Sequence, residues 1–206
     1  AKKLHFDVIP KCSDEYLNFN KNFHEDKTYK KMDNPAWHIH FGKPPKIDSP
    51  ITFNTLMNLV SVCNSVEPKI IWSFINEYNP KLIPFNNEYI NNQIKYAIEY
   101  YKDFILPKKN YKLLDEKNIK IFIDLKSTLK NLKADTKPED IQTSIYEIGK
   151  KYDFENLRNY FQLIYNVLLG QNEGPRLGSF IALYGINRTI ILIDKAIKKE
   201  DLSNRE

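Results

Sequence analysis

From residue 49 onward the apolar positions recur three and four apart, the spacing that lines one face of an α-helix. Leu56, Leu59, Val60 and Cys63 form the first stripe, with Ser49 the expected N-cap and Pro50 at the first helical position. Pro68 opens a shorter segment through Trp72 and Ile75. Ile90, Ile94, Ala97, Ile98, Tyr101, Phe104 and Ile105 predict a long helix that Pro107 ends. Phe122, Leu125, Leu129 and Leu132 predict another, with Lys126, Lys130 and Lys133 beside the stripe. Thr136 and Glu139 have capping-box spacing ahead of Ile141, Ile145 and Ile148, and Gly149 is the expected terminator. Leu157, Tyr160, Phe161, Ile164, Tyr165, Leu168 and Leu169 stripe the next helix, which Gly170 stops, and Ile186, Ile190, Ile193 and Ile197 mark the last.

The first 48 residues read differently. Leu4, Phe6 and Val8 alternate, as do Trp37, Ile39 and Phe41, so each run predicts a short strand, with a helix from about Pro10 to Phe23 between them. GKPPKIDSP then marks a boundary. The fold class expected is mainly α, a helical bundle with a small N-terminal α/β portion.

Composition narrows the classes. Hydrophobic residues at 42% and aromatics at 13% argue against disorder. The absence of a long uncharged apolar run argues against a membrane span, and nothing at the N-terminus reads as a signal peptide. A chain that begins with Ala reads as a piece of something longer. Cys12 and Cys63 lie far apart in no metal-binding spacing, which fits free thiols in a cytoplasmic protein. The 31 Lys plus Arg exceed the 26 acids by five, a balance that suits RNA contact and equally a Lys-rich coding bias.

The densest signal is LIYNVLLGQNEGPRLGSFIALYG, from Leu163 to Gly185. An amphipathic helix runs through a glycine-bounded loop, carrying Pro175 and Arg176, into a short helix apolar on every side. Gly174 and Gly178 allow a backbone to pass close to something else. Arg176 offers a charge and a plane on which an unstacked RNA base can rest. Its other readings are a cap on the preceding helix or an ion pair with Glu173.

GPRLGSFIALYG after a helix ending in LLGQ resembles the C-terminal signature of class I lysyl-tRNA synthetases. It is also similar in outline to the GP-x-LF-x-x-L-x-LLG pattern of glutamyl-tRNA synthetases. KLHFDVIPK at 3 to 11, NPAWHIH at 34 to 40, PITFNTLMNLVSVCN at 50 to 64 and YAIEYYKDFILPKK at 96 to 109 extend the first resemblance over nearly all of the chain. It implies a stem-contact-like segment at 1–48 and a helical anticodon-binding domain at 49–206. It further implies tRNA(Lys) as partner, with Gly174 and Pro175 bordering the second anticodon base and Leu177 and Tyr165 near the third. Tyr165 departs from the arginine-bearing site of the glutamyl enzymes. Apart from the resemblance, Lys126 and Lys130 on the Lys-rich face are secondary candidates for phosphate contact, the other reading of such a face being simple solvation.

A parent of this family uses ATP and magnesium to join lysine to its tRNA. The HIGH-type and KMSKS-type motifs of that chemistry do not occur here, HIHFG at 38 to 42 being in the wrong order, so this segment is expected to be non-catalytic, with no cofactor of its own. His38 and His40, two apart, could face a metal from a strand, but without a third ligand packing or hydrogen bonding is the expectation. No membrane or DNA partner is expected, and a monomer is. The alternative function is a helical protein-interaction module with Tyr-rich faces.

Overall fold

The structure is a computed structural model, and it describes residues 5–25, 31–84 and 87–203. Ten α-helices follow in order among these residues: α1 Ile9–Glu25, α2 Pro35–Ile39, α3 Phe53–Cys63, α4 Pro68–Tyr78, α5 Glu88–Tyr100, α6 Glu116–Lys130, α7 Pro138–Lys150, α8 Leu157–Leu168, α9 Leu177–Tyr184 and α10 Ile186–Ile197. A π turn, Tyr101–Ile105, and a 3-10 turn, Leu106–Lys108, prolong α5 up to its proline. The mainly α bundle is as expected, and α1, α4 and α10 match their anticipated spans closely.

No strand occurs among the described residues. Leu4 lies outside them, and Phe6–Val8 is a 3-10 turn. At the second expected strand the local chemistry of a helix start wins over alternation. Asn34 accepts from Ala36 N at 2.8 Å while Pro35 occupies the first helical turn, which starts α2. Of the alternating residues Trp37 is only half-buried, and Phe41, at φ +51°, is 92% exposed. Alternation with nothing to bury against does not make a strand.

Two core clusters hold the bundle. One joins α3, α4 and α5 through Leu56, Leu59, Val60, Ile71, Ile75 and Ile94. The other joins α6 to α10 through Phe122, Leu125, Ile145, Tyr160, Ile164 and Ile193. Helix α9 belongs to both, since Leu177, Phe180 and Ile181 enter the second cluster and Leu183 the first. Its sequence, LGSFIALY, has no polar face because both sides are covered. Helix α1 lies against α2 and α3. The buried Asn20 holds the following extended segment, donating to Pro45 O at 2.7 Å and accepting from Ile47 N at 3.2 Å.

Three expected helix ends are corrected. Thr52, not Ser49, caps α3 by accepting from Thr55 N at 3.2 Å; Ser49 and Pro50 lie outside the helix, and the Ser49 hydroxyl bonds Ile51 instead. The N-cap of α7 is Lys137 with Pro138 behind it, so Thr136 and Glu139 form no capping box. Gly149 is internal to α7, and its role is contact: a Cβ there would stand 2.6 Å from the Tyr160 ring and 2.9 Å from Leu157.

The tightest approach is at Gly178 of α9. A Cβ at this position would overlap the Pro138 carbonyl oxygen and stand 2.8 Å from Gln142 at the start of α7. Backbone cannot give way as a flexible side-chain tip can. Gly178→Ala is therefore expected to lower stability by at least the upper part of the overpacking range, about 1–3 kcal/mol. Exposed Lys130→Ala should stay within about 0.5 kcal/mol. Urea denaturation followed by circular dichroism distinguishes the two.

Candidate nucleic-acid interface

The loop from Gly170 to Arg176 is shaped by the end of α8. Leu169 N closes on Tyr165 O at 2.8 Å, Gly170 turns the chain at φ +68°, and Gln171 N returns to Tyr165 O at 3.3 Å. A left-handed residue at this point is what a helix end requires, and glycine adopts it freely. The strand-like segment after α5 crosses beneath it, with Asn110 N donating to Gly170 O at 2.9 Å and Lys112 N to Asn166 O at 3.1 Å. Gln171 Nε2 donates to Ser61 Oγ at 2.8 Å, which fixes the loop to α3.

Beyond the exposed Asn172 and Glu173 the loop packs through Gly174, Pro175 and Leu177. Tyr165 lies flat against Gly174, where a Cβ would come within 2.5 Å of the ring. Its hydroxyl donates to Pro175 O at 2.6 Å. Pro175 and Leu177 are buried. Pro175, expected beside the second anticodon base, is turned inward, its carbonyl held by the Tyr165 hydroxyl.

Arg176 is exposed while its neighbours on both sides, Pro175 and Leu177, are buried. It stands at the N-cap of α9 with no side-chain cap bond. That position does not need it, since Gln142 Oε1 of α7 accepts from Gly178 N at 2.8 Å and satisfies one of the free amides at the helix start. Glu173 pairs with Arg158 at 3.1 Å rather than with Arg176. Among the described residues the Arg176 guanidinium has no ion pair or hydrogen bond. A planar donor group is thus held out to solvent by two buried anchors.

The secondary lysines divide. Lys126 of α6 is half-buried and paired with Asp194 of α10, so it ties two helices together. Lys130 is exposed. Lys109, in the Lys108 to Lys112 run, donates to Ser61 O at 2.5 Å and rests over the rings of Tyr101 and Tyr111, which makes it structural. His40 Nε2 meets the Tyr16 hydroxyl at 2.7 Å and His38 Nε2 meets Met32 O at 2.7 Å, so the two rings have separate uses. No group of three His, Cys, Asp or Glu side chains suited to a metal occurs among the described residues. Nothing in the sequence signalled Gln142 as the cap of α9, because its partner lies 36 positions away.

No single helix among the described residues is long and apolar enough to cross a membrane; α9 and α10 reach that length only together, bent by 105°.

An all-helical segment with an arginine held out on a built loop finds its relatives among aminoacyl-tRNA ligases, and the ligases concerned are those for lysine. The chain is 47% identical over 200 residues to the lysine–tRNA ligase of Rickettsia bellii (strain OSU 85-389), covering 96% of this chain and 38% of the ligase. Identity to that of Rickettsia africae (strain ESF-5) is 46% over 196 residues, with 94% of this chain and 38% of the ligase covered. Identity to that of Rickettsia prowazekii (strain Madrid E) is 44% over 199 residues, with 96% and 38% covered. Such agreement over nearly the whole chain marks it as homologous to one segment of lysine–tRNA ligases, a segment of about 38% of their length. No family model matches the chain, and no solved structure matches it.

Burial pushes the Tyr165 hydroxyl up to about 12, from an ordinary value near 10. A raised folded-state value favours the protonated form in the fold, so this contribution is complete below about pH 10 and is lost as pH rises through about 12. The buried Tyr160, whose hydroxyl donates to Ile145 O at 3.1 Å, is shifted in the same direction by the same cause. Tyr165→Phe is expected to cost about 1 kcal/mol near neutral pH through the lost bond to Pro175. Its unfolding free energy should then fall less steeply than the parent's between pH 10 and about 12, as read from urea melts across that range. Parallel slopes would remove Tyr165 from this role.

Proposed function

We propose that this chain is the C-terminal, anticodon-binding part of a class I lysine–tRNA ligase and that it holds tRNA(Lys) at the loop from Gly170 to Leu177. In this reading Arg176 makes the direct contact. Gly174 and Pro175 shape the surface beside the second anticodon base, and Leu177 and Tyr165 fix the wall beside the third. Residues 1–48 are the stem-contact-like segment and 49–206 the anticodon-binding domain. Lys130 contributes charge toward the phosphates, and Lys126 acts only through packing.

The observation that carries this reading is the exposed, unpaired Arg176 between two buried anchors, in a chain homologous to lysine–tRNA ligases. A guanidinium fixed at its root loses little freedom on binding, and it can stack on an unpaired base or fork onto its edge. The intact ligase joins lysine to tRNA(Lys) in the cytoplasm with ATP and magnesium, through residues outside this chain.

Two measurements test the reading. Arg176→Ala should lose about 1–3 kcal/mol of binding to tRNA(Lys) and much of the preference over an anticodon-swapped tRNA. Lys130→Ala should weaken both RNAs alike and flatten the salt dependence by a slope of about 0.7–0.9. An Arg176→Ala variant with unchanged affinity and preference would instead favour a protein-interaction role for this surface. Lysine-dependent exchange of pyrophosphate into ATP, measured on the isolated chain, should stay at background.

A further inference from the structure

Beyond the other end of α9, four planar groups form one stack. The Phe180 and Tyr184 rings lie 5.4 Å apart at 14°, and Tyr184 and Phe74 lie 5.5 Å apart at 10°. The Arg188 guanidinium then covers Phe74, its Cζ 4.6 Å from the ring centre. The stack starts in the core at Phe180, passes through the half-buried Tyr184 and Phe74, and ends at Arg188 on the surface. Arg188 is also held at its edge, where Nη1 donates to Glu77 Oε2 at 2.8 Å and to Tyr184 O at 3.4 Å. An exposed ion pair contributes little to stability. What this one does is fix a plane, since a guanidinium with its face on a ring and its edge on a carboxylate and a carbonyl is kept from turning.

That plane stands in the wall of a groove of about 490 Å³ between α10, α4 and the turn that joins α3 to α4. Arg188, Ile191, Leu192 and Lys195 fall three and four apart along α10 and line one side. Ile70 and Phe74, four apart on α4, line the other. Each helix already buries a different face, Ile71 and Ile75 on α4 and Ile193 and Ala196 on α10, yet Ile70 and Ile191 remain 37% and 57% exposed. The groove is therefore apolar on both sides.

Its charge is of one sign. The lining holds two cations, Arg188 and Lys195, and no carboxylate, while Glu77 lines the neighbouring cleft on the far side of Arg188. Because Glu77 already meets the Arg188 charge, Arg188 offers the groove a plane, and the excess charge is that of Lys195. Lys195 is exposed, and its ammonium has no ion pair or hydrogen bond among the described residues. The two cations stand two helical turns apart, about 10 Å along α10. A flat ring to lie on the plane and an anion a short reach away are the two ends of a nucleotide. A bare anion would leave the apolar walls unused, and an aliphatic chain would not need the plane.

We propose that the groove between α4 and α10 binds a nucleotide, its base stacked on the Arg188 guanidinium as the next layer of the ladder and its phosphate at Lys195. Ile70 and Ile191 flank the base. A free nucleotide and an unpaired nucleotide of an RNA strand carry the same chemistry, and the test separates them. The site is distinct from the loop at Arg176 and does not depend on the reading of that loop.

The chain without RNA is titrated with AMP at low ionic strength and followed in its nitrogen-15 spectrum. Saturable shifts are expected at Ser65, Phe74, Ile191 and Lys195. Ribose 5-phosphate, which lacks the stacking base, should bind at least about fivefold more weakly than AMP. Arg188→Lys keeps the charge and removes the plane, so it should weaken AMP by a similar factor. Lys195→Ala should weaken AMP and leave adenosine as it was. Ile191→Glu, at a position the core does not use, should block both, and urea melts of the three variants should stay close to the parent's. Adding tRNA(Lys) then identifies the source. If the groove takes a base of the RNA, bound tRNA suppresses the AMP shifts and Ile191→Glu weakens tRNA binding. If it takes a free nucleotide, AMP and tRNA bind together and Ile191→Glu leaves the RNA affinity unchanged. AMP shifts that do not saturate or that centre on Arg176 would overturn the proposal, as would ribose 5-phosphate binding as tightly as AMP, or Arg188→Lys binding AMP as the parent does.

Discussion

The close approach of α9 to the first turn of α7 is the constraint on which the rest of the structure depends. Gly178 must lack a side chain for the Pro138 carbonyl to lie where it does, and its amide must meet Gln142 at that distance. Once α9 is seated there, its two ends reach two separate cores. Without that seat, Leu183 leaves the first cluster and Phe180 the second, so both lose apolar contact together. A helix of eight residues has little stability alone, and its position comes entirely from packing.

The seat also determines what the loop can present. Residue 176 stands where a helix start ordinarily recruits a short polar side chain to cap itself. With Gln142 supplying that bond from another helix, the position can carry a long cationic side chain at no cost to α9. Tyr165 and Gln171 hold the loop from below.

Much of the fold was legible because periodicity reports burial directly. The stripes at Ile90 to Ile105 and at Ile186 to Ile197 lie on buried faces, and the stop at Gly170 is a left-handed turn. What sequence could not display were choices made between distant residues. Ser49 and Thr52 are equally good caps in isolation, and the position of Phe53 in the first core selects Thr52. Gly149 resembles a terminator until the Tyr160 ring is seen against it. Lys126 resembles a free cation until Asp194, 68 positions away, is brought beside it. At Trp37 to Phe41 the alternation was real, but a proline and an asparagine cap are local and act first. The glycine-bounded loop was recognisable as a loop, whereas the inward turn of Pro175 required the Tyr165 hydroxyl.

The tie between Gln171 and Ser61 spans 110 positions, and Asn110 meets Gly170 across another long interval. Nearly every anchor of the loop therefore comes from chain synthesised well before it. On the ribosome, where the N-terminal part emerges first, α3 to α7 must wait with two incomplete apolar surfaces until α9 appears. The helix that Arg176 precedes is thus the one that enters both cores, and the loop before it takes its shape only as the bundle closes.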